Sequence, residues 1–167
     1  SPSKRPEQGY HLTTDLADDC IQWMRVQKSI APDRPFFVHF APGALHGPHQ
    51  PPLAWRGRNE GRFDMGWDRY REEVYERQLE LGVIPPGTQL TPRPAEIPAW
   101  DSFSPEDQRL LARQMENFAD FHDHTDHEIG RLVQALEELD EFDNTLFIYL
   151  LGDNGSSAEG GLTGTMN

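Results

Sequence analysis

One spacing pattern dominates this sequence. Between Ser104 and Phe142, positions 111, 115, 118, 122, 125, 129, 132, 136 and 139 step by four and three. They are Leu, Met, Phe, His, Thr, Ile, Leu, Leu and Leu, an apolar seam broken only at His122 and Thr125. That spacing predicts one long amphipathic helix, which must bury a face against other elements. Ser104 is the expected cap, Pro105 fits the first helical position, and Asp107 completes a capping-box pattern. Two short apolar runs lie either side of this stretch, at 36–41 after Pro35 and at 145–151. Each predicts a strand. The excursion between them is too long for a hairpin, so the two are expected to run parallel with helices on the sheet faces.

The remaining elements follow from the same rules. Residues 13–28 predict a helix with Leu16, Ile21 and Met24 on one stripe, capped by Thr13 or Thr14, with Asp15, Asp18 and Asp19 near its positive end. Residues 64–81 predict a second helix burying Trp67, Tyr70 and Val74. The segments 43–52 and 82–100 are loops by their Gly and Pro content.

The chain has 167 residues, enough for one domain with a core, and a formal net charge of −13. That charge argues against nucleic acid as a partner, because phosphate binding needs clustered Lys and Arg. Residues 104–143 hold twelve acidic residues against three arginines, the composition of a solvated helix face. No run approaches the roughly 20 apolar residues of a membrane span. The sequence opens at Ser1 without Met and stops at Asn167 shortly after a strand signal, so it is expected to be part of a longer protein, truncated at both ends. The single cysteine, Cys20, excludes an internal disulfide and leaves the compartment unread.

In parallel sheets, sites form outside the carboxyl ends of strands. Two polar clusters stand at such ends. After the second run come Asp153 and Asn154, between Gly152 and Gly155. A carboxylate and an amide carbonyl are hard oxygen donors suited to calcium or magnesium, and glycines let adjacent side chains converge. A plain turn explains the same residues. After the first run comes the loop with His46 and His49. A histidine there can donate to an oxyanion or act as a general acid, or simply face solvent. The cluster "HDHTDH" at 122–127 places His124 and His127 three apart and Asp120 four before His124. It lacks the His-Glu-x-x-His pattern of metalloproteases, so solvated or core-satisfied histidines are the expectation. Cys20 sits mid-helix on the apolar side without a near basic neighbour, as an inert buried thiol does. Ser156 and Ser157 are not in a Gly-x-Ser-x-Gly elbow.

Several phrases carry a resemblance beyond spacing. "GYHLTTDLADDCIQWM", "PFFVHFAPGALHGPHQPP", "FHDHTDHEIGRLVQALEELDEFDNTLFIYLLGDNG" and "SAEGG", in this order, resemble the middle of a bacterial arylsulfatase. "FDMGWDRYREEVYERQLELGVIP" and "LTPRPAEIPAWDSFSPEDQRLLARQMENFADF" resemble a subgroup of that family. The resemblance implies an α/β fold, the alkaline-phosphatase-like sandwich with a mainly parallel sheet and helices on both faces, of which residues 1–167 form the central part. It implies that Asp153 and Asn154 ligate a divalent cation, usually calcium with magnesium possible. It implies that His46, in Ala44-Leu45-His46-Gly47-Pro48, contacts the substrate sulfate near the leaving-group oxygen. The implied substrate is a small-molecule sulfate ester. His49 has no family role, and Asp126 falls at a recurrent acid that is structural or, at most, supports a residue of the site from behind. The family's nucleophile is a formylglycine made from Cys or Ser in a motif like Cys-x-Pro-x-Arg. Neither Cys20 nor any serine stands in such a motif, so the nucleophile is expected outside this segment. Two alternatives are a phosphate or phosphonate ester hydrolase of the same superfamily and a non-enzymatic acidic module using the long helix as a partner surface.

Overall fold

The computed structural model describes residues 4–152 and Gly161. Three α-helices dominate them: α1 (Leu12–Ile30), α2 (Gly66–Glu80) and α3 (Pro105–Glu138). Single 3-10 turns lie at Pro6–Gln8, Leu53–Trp55, Trp100–Ser102 and Phe142–Asn144. The three helices agree with the sequence expectations to within a few residues at their ends.

Their caps differ in an informative way. At the start of α3, Ser104 Oγ accepts from the Asp107 backbone N–H at 3.1 Å and donates to the Asp107 carboxylate at 2.7 Å. The serine half of the expected box is therefore present, while the Asp107 carboxylate bonds the serine hydroxyl. At α1, neither threonine caps. The cap residue is His11, in extended conformation and without a side-chain cap bond. Thr13 and Thr14 lie inside the first turn, where Thr13 is buried and Thr14 serves a tertiary purpose described below.

The chain forms two compact units, residues 1–56 with 118–167, and residues 57–117. In the first, Ala17, Ile21 and Met24 of α1 pack with Leu132, Ala135 and Leu136 of α3, joined by Cys20, Phe36, Val38, Phe40 and Leu139. The carboxyl half of the seam is thus consumed by α1. This packing, rather than an external partner, accounts for its apolar stripe. In the second unit, Phe63 meets Tyr70, and Trp67 meets Trp100 and Phe103 edge to face. Gly66 adopts φ +76°, and its missing Cβ is replaced by the Trp100 ring.

The expected α/β sandwich with a parallel sheet is corrected by the structure: among the described residues there is helix but no strand. Residues 36–41 and 145–151 form no ladder: among the described residues the second run has the turn bond from Thr145 N–H to the Phe142 carbonyl at 3.1 Å, and neither run is paired with another extended segment. The reason is physical. Pro35 and the aromatic and β-branched side chains disfavour helix, but a strand exists only where a second backbone supplies the ladder. Both runs still alternate. Phe36, Val38 and Phe40 are half-buried while Phe37 is 86% exposed; Phe147 and Tyr149 are less exposed than Leu146, Ile148 and Leu150. One side of each run lies on the helices, and the other, also apolar, faces outward.

Candidate active site

The loop 43–52 carries His46 on irregular backbone. His46 Nδ1–H donates to the neighbouring Gly47 carbonyl at 2.8 Å. Nδ1 therefore carries a proton, since a carbonyl can only accept. His49 donates from Nε2–H to the Leu45 carbonyl at 3.2 Å, closing the loop around His46. At the far end of the loop, His11 Nε2–H donates to the Gln50 carbonyl at 3.1 Å.

A cavity of 780 Å³ opens beside this loop. It is lined on one side by residues 36–42 and His46, on another by Thr145 to Gly152, and at its floor by α3 residues including His122, Thr125 and Ile129. His46 and Gly152, whose next neighbour in sequence is Asp153, thus border the same space. Asp153 and Asn154 themselves lie outside the described residues, as do Ser156 and Ser157. Among the described residues, no group of three or more His, Cys, Asp and Glu side chains is arranged to hold a metal ion. Burial pushes the Cys20 thiol up, consistent with an inert sulfhydryl packed against the core.

The histidine-rich stretch of α3 divides among three environments. His122 borders the cavity, His124 is 1% exposed, and His127 is exposed. His124 and His127 therefore do not share a buried face, although the Trp55 ring touches both. His124 belongs to a polar cluster that ties α1 to α3. Thr14 Oγ1 donates to Glu128 Oε1 at 2.7 Å, and His124 Nε2 lies 3.1 Å from Thr14 Oγ1 and 3.2 Å from Glu128 Oε1. With the threonine proton committed to the carboxylate, Nε2 is the imidazole donor. Arg131 closes the cluster by bonding both Glu128 and Asp18. Burial, with His11 alongside, pushes His124 down to about 4, against the opposing pull of Glu128. The geometry agrees, because its Nδ1 is buried with no acceptor among the described residues for a second proton. Burial pushes the Glu128 carboxyl up, yet the Thr14 and Arg131 hydrogen bonds outweigh it and hold the group below its usual range.

Asp126 also has a defined contact. It accepts from the Tyr149 hydroxyl at 3.3 Å, linking α3 to the run that precedes Asp153. Burial and the Asp126 charge raise the Tyr149 hydroxyl. Sequence reasoning missed this pair and the Thr14–His124–Glu128 cluster. The signal for the cluster was available: Asp120, His124 and Glu128 recur every four residues beside the apolar seam, and all three are buried.

Comparison with known proteins gives this arrangement its context. The sulfatase family model matches residues 1–166, and the chain belongs to that family. It is 32% identical over 124 residues to an uncharacterised sulfatase of Schizosaccharomyces pombe, covering 72% of this chain and 22% of that protein. It is 29% identical over 133 residues to an arylsulfatase of Klebsiella aerogenes, covering 80% of this chain and 28% of that enzyme. The chain thus spans about a quarter of the length of these relatives. Among the described residues, no helix is long and apolar enough to cross a membrane.

Proposed function

We propose that this chain is the central portion of a sulfuric ester hydrolase of the arylsulfatase type, acting on small-molecule sulfate esters. The observation that carries the reading is the shared cavity: His46 and the residue preceding Asp153 border one space of 780 Å³. Family membership supplies the reaction class.

In this reading His46 approaches the sulfate through Nε2. The Gly47 carbonyl occupies Nδ1–H and so fixes which ring nitrogen meets the substrate. In the imidazolium form, Nε2–H donates to the oxygen of the departing alcohol, and the proton follows as that oxygen becomes an alkoxide. Asp153 and Asn154 fit a calcium or magnesium ion by donor chemistry, both offering hard oxygen atoms. When bound, the cation neutralises charge on the sulfuryl group, and a formylglycine elsewhere in the complete protein supplies the nucleophile. Apolar side chains, among them Phe36, Val38, Phe147 and Ile129, line much of the cavity.

The test uses the complete protein. His46→Ala is expected to lower kcat for phenyl sulfate, whose leaving group needs the proton, by about 100-fold, the usual worth of a general acid. Asp153→Asn is expected to weaken reactivation by calcium after chelation. Full activity in His46→Ala would overturn the reading. So would faster turnover of 4-nitrophenyl phosphate than of 4-nitrophenyl sulfate, or a reading frame without a formylglycine motif.

A further inference from the structure

We infer that His49 is a positioning residue for His46, and this rests on the reading of His46 given above. The loop 43–52 has no helix or strand to hold it. A group that must meet a leaving oxygen needs its backbone fixed to a fraction of an ångström, which irregular loops achieve only through side-chain anchors. His49 provides one. Its Nε2–H reaches back across the loop to the carbonyl of Leu45, the residue immediately before His46. Its ring, in turn, stands edge-on to Phe118 at 5.1 Å and tilted against Phe121 at 6.3 Å. Phe121 is buried and also meets the ring of His11, whose Nε2–H holds the Gln50 carbonyl. Two imidazoles seated on one α3 platform thus grip the loop at Leu45 and at Gln50, on either side of His46. His49 makes no claim on the substrate. It transmits the rigidity of α3 to the peptide that carries the acid.

The hydrogen bond and the ring packing can be separated. In the complete enzyme, His49→Phe keeps an aromatic ring against Phe118 and Phe121 but cannot donate to Leu45. His49→Gln keeps an N–H donor but loses the ring. The readout is kcat for two substrates: 4-nitrophenyl sulfate, whose leaving group departs with little help, and phenyl sulfate, whose leaving group needs a proton. His49→Phe is expected to lower kcat for phenyl sulfate about tenfold and for 4-nitrophenyl sulfate less than threefold, with KM and thermal midpoint near the parent values, since part of a general-acid contribution is lost. His49→Gln, which gives up the seat on Phe118 and Phe121, is expected to shift the ratio between the two substrates in the same direction. Equal losses on both substrates, or a parental profile, in either variant would overturn the inference. If His49→Phe does not fold, His49→Gln alone decides, because a purely structural role predicts equal losses on both substrates and the positioning role a larger loss on phenyl sulfate. His46→Ala is measured alongside. A parental leaving-group profile in that variant refutes the assignment of His46 itself, whereas a changed profile there with an unaltered His49→Phe refutes only the role of His49.

Discussion

Replacing Gly66 by alanine should destabilise residues 57–117 by about 2–5 kcal/mol. Two costs add. At φ +76° an L-residue sits in the left-handed region, worth about 1–2 kcal/mol. The new Cβ would also stand 2.2 Å from two carbons of the Trp100 ring, well inside contact distance, and overpacking of this kind costs about 1–3 kcal/mol. Trp100 has little room to retreat. It is 7% exposed, its backbone N–H donates to Asp68 at 2.8 Å, its carbonyl accepts from Gln108 at 3.0 Å, and its ring is set against Trp67. Gly82 is the internal control, with φ +69° and open space where its Cβ would go. Gly82→Ala should therefore cost only the conformational part. Urea unfolding followed by tryptophan fluorescence, at matched slopes, gives both values. If the two variants lose equal stability, the steric argument at Trp100 is wrong.

The buried cluster gives two more tests. In the folded chain His124 takes up its proton only around pH 4, against an ordinary value of 6.5. Its contribution is therefore complete above pH 6.5 and is lost as the pH falls toward 4, by about 3 kcal/mol at 1.36 kcal/mol per unit. Equilibrium unfolding across that interval should show the slope, and His124→Gln should flatten it. Thr14→Val removes the donor to Glu128 and leaves a buried carboxylate short of one bond, so the loss should be about 1–3 kcal/mol by the same measurement.

Helix was legible in the sequence because its signal is local. The four-three seam, Pro105 and the Ser104 cap together announce α3, and the structure keeps each of them. The runs at 36–41 and 145–151 show the limit. Their composition decides conformation and which side chains alternate, but pairing depends on a second backbone that no single run encodes. The cap of α1 was misread because Thr14 looks like a cap in isolation, and only its bonds to Glu128 and His124, over a hundred residues away, show what it does. At the site, His46 was visible through its loop and its family phrase. His49 was marked in the same loop without a role, and His11 was not marked at all, since what they do depends on contacts with Phe118 and Phe121.

The buried row Asp120, His124 and Glu128 also bears on how α3 finds its place along α1. A seam made only of leucines is nearly degenerate: sliding it by one turn brings one leucine where another stood, at small cost. The Thr14–Glu128 bond admits no such substitution. A one-turn slip would set His124 or Leu132 opposite the threonine and strand a carboxylate in the core, so the polar row fixes the register that the apolar one leaves open.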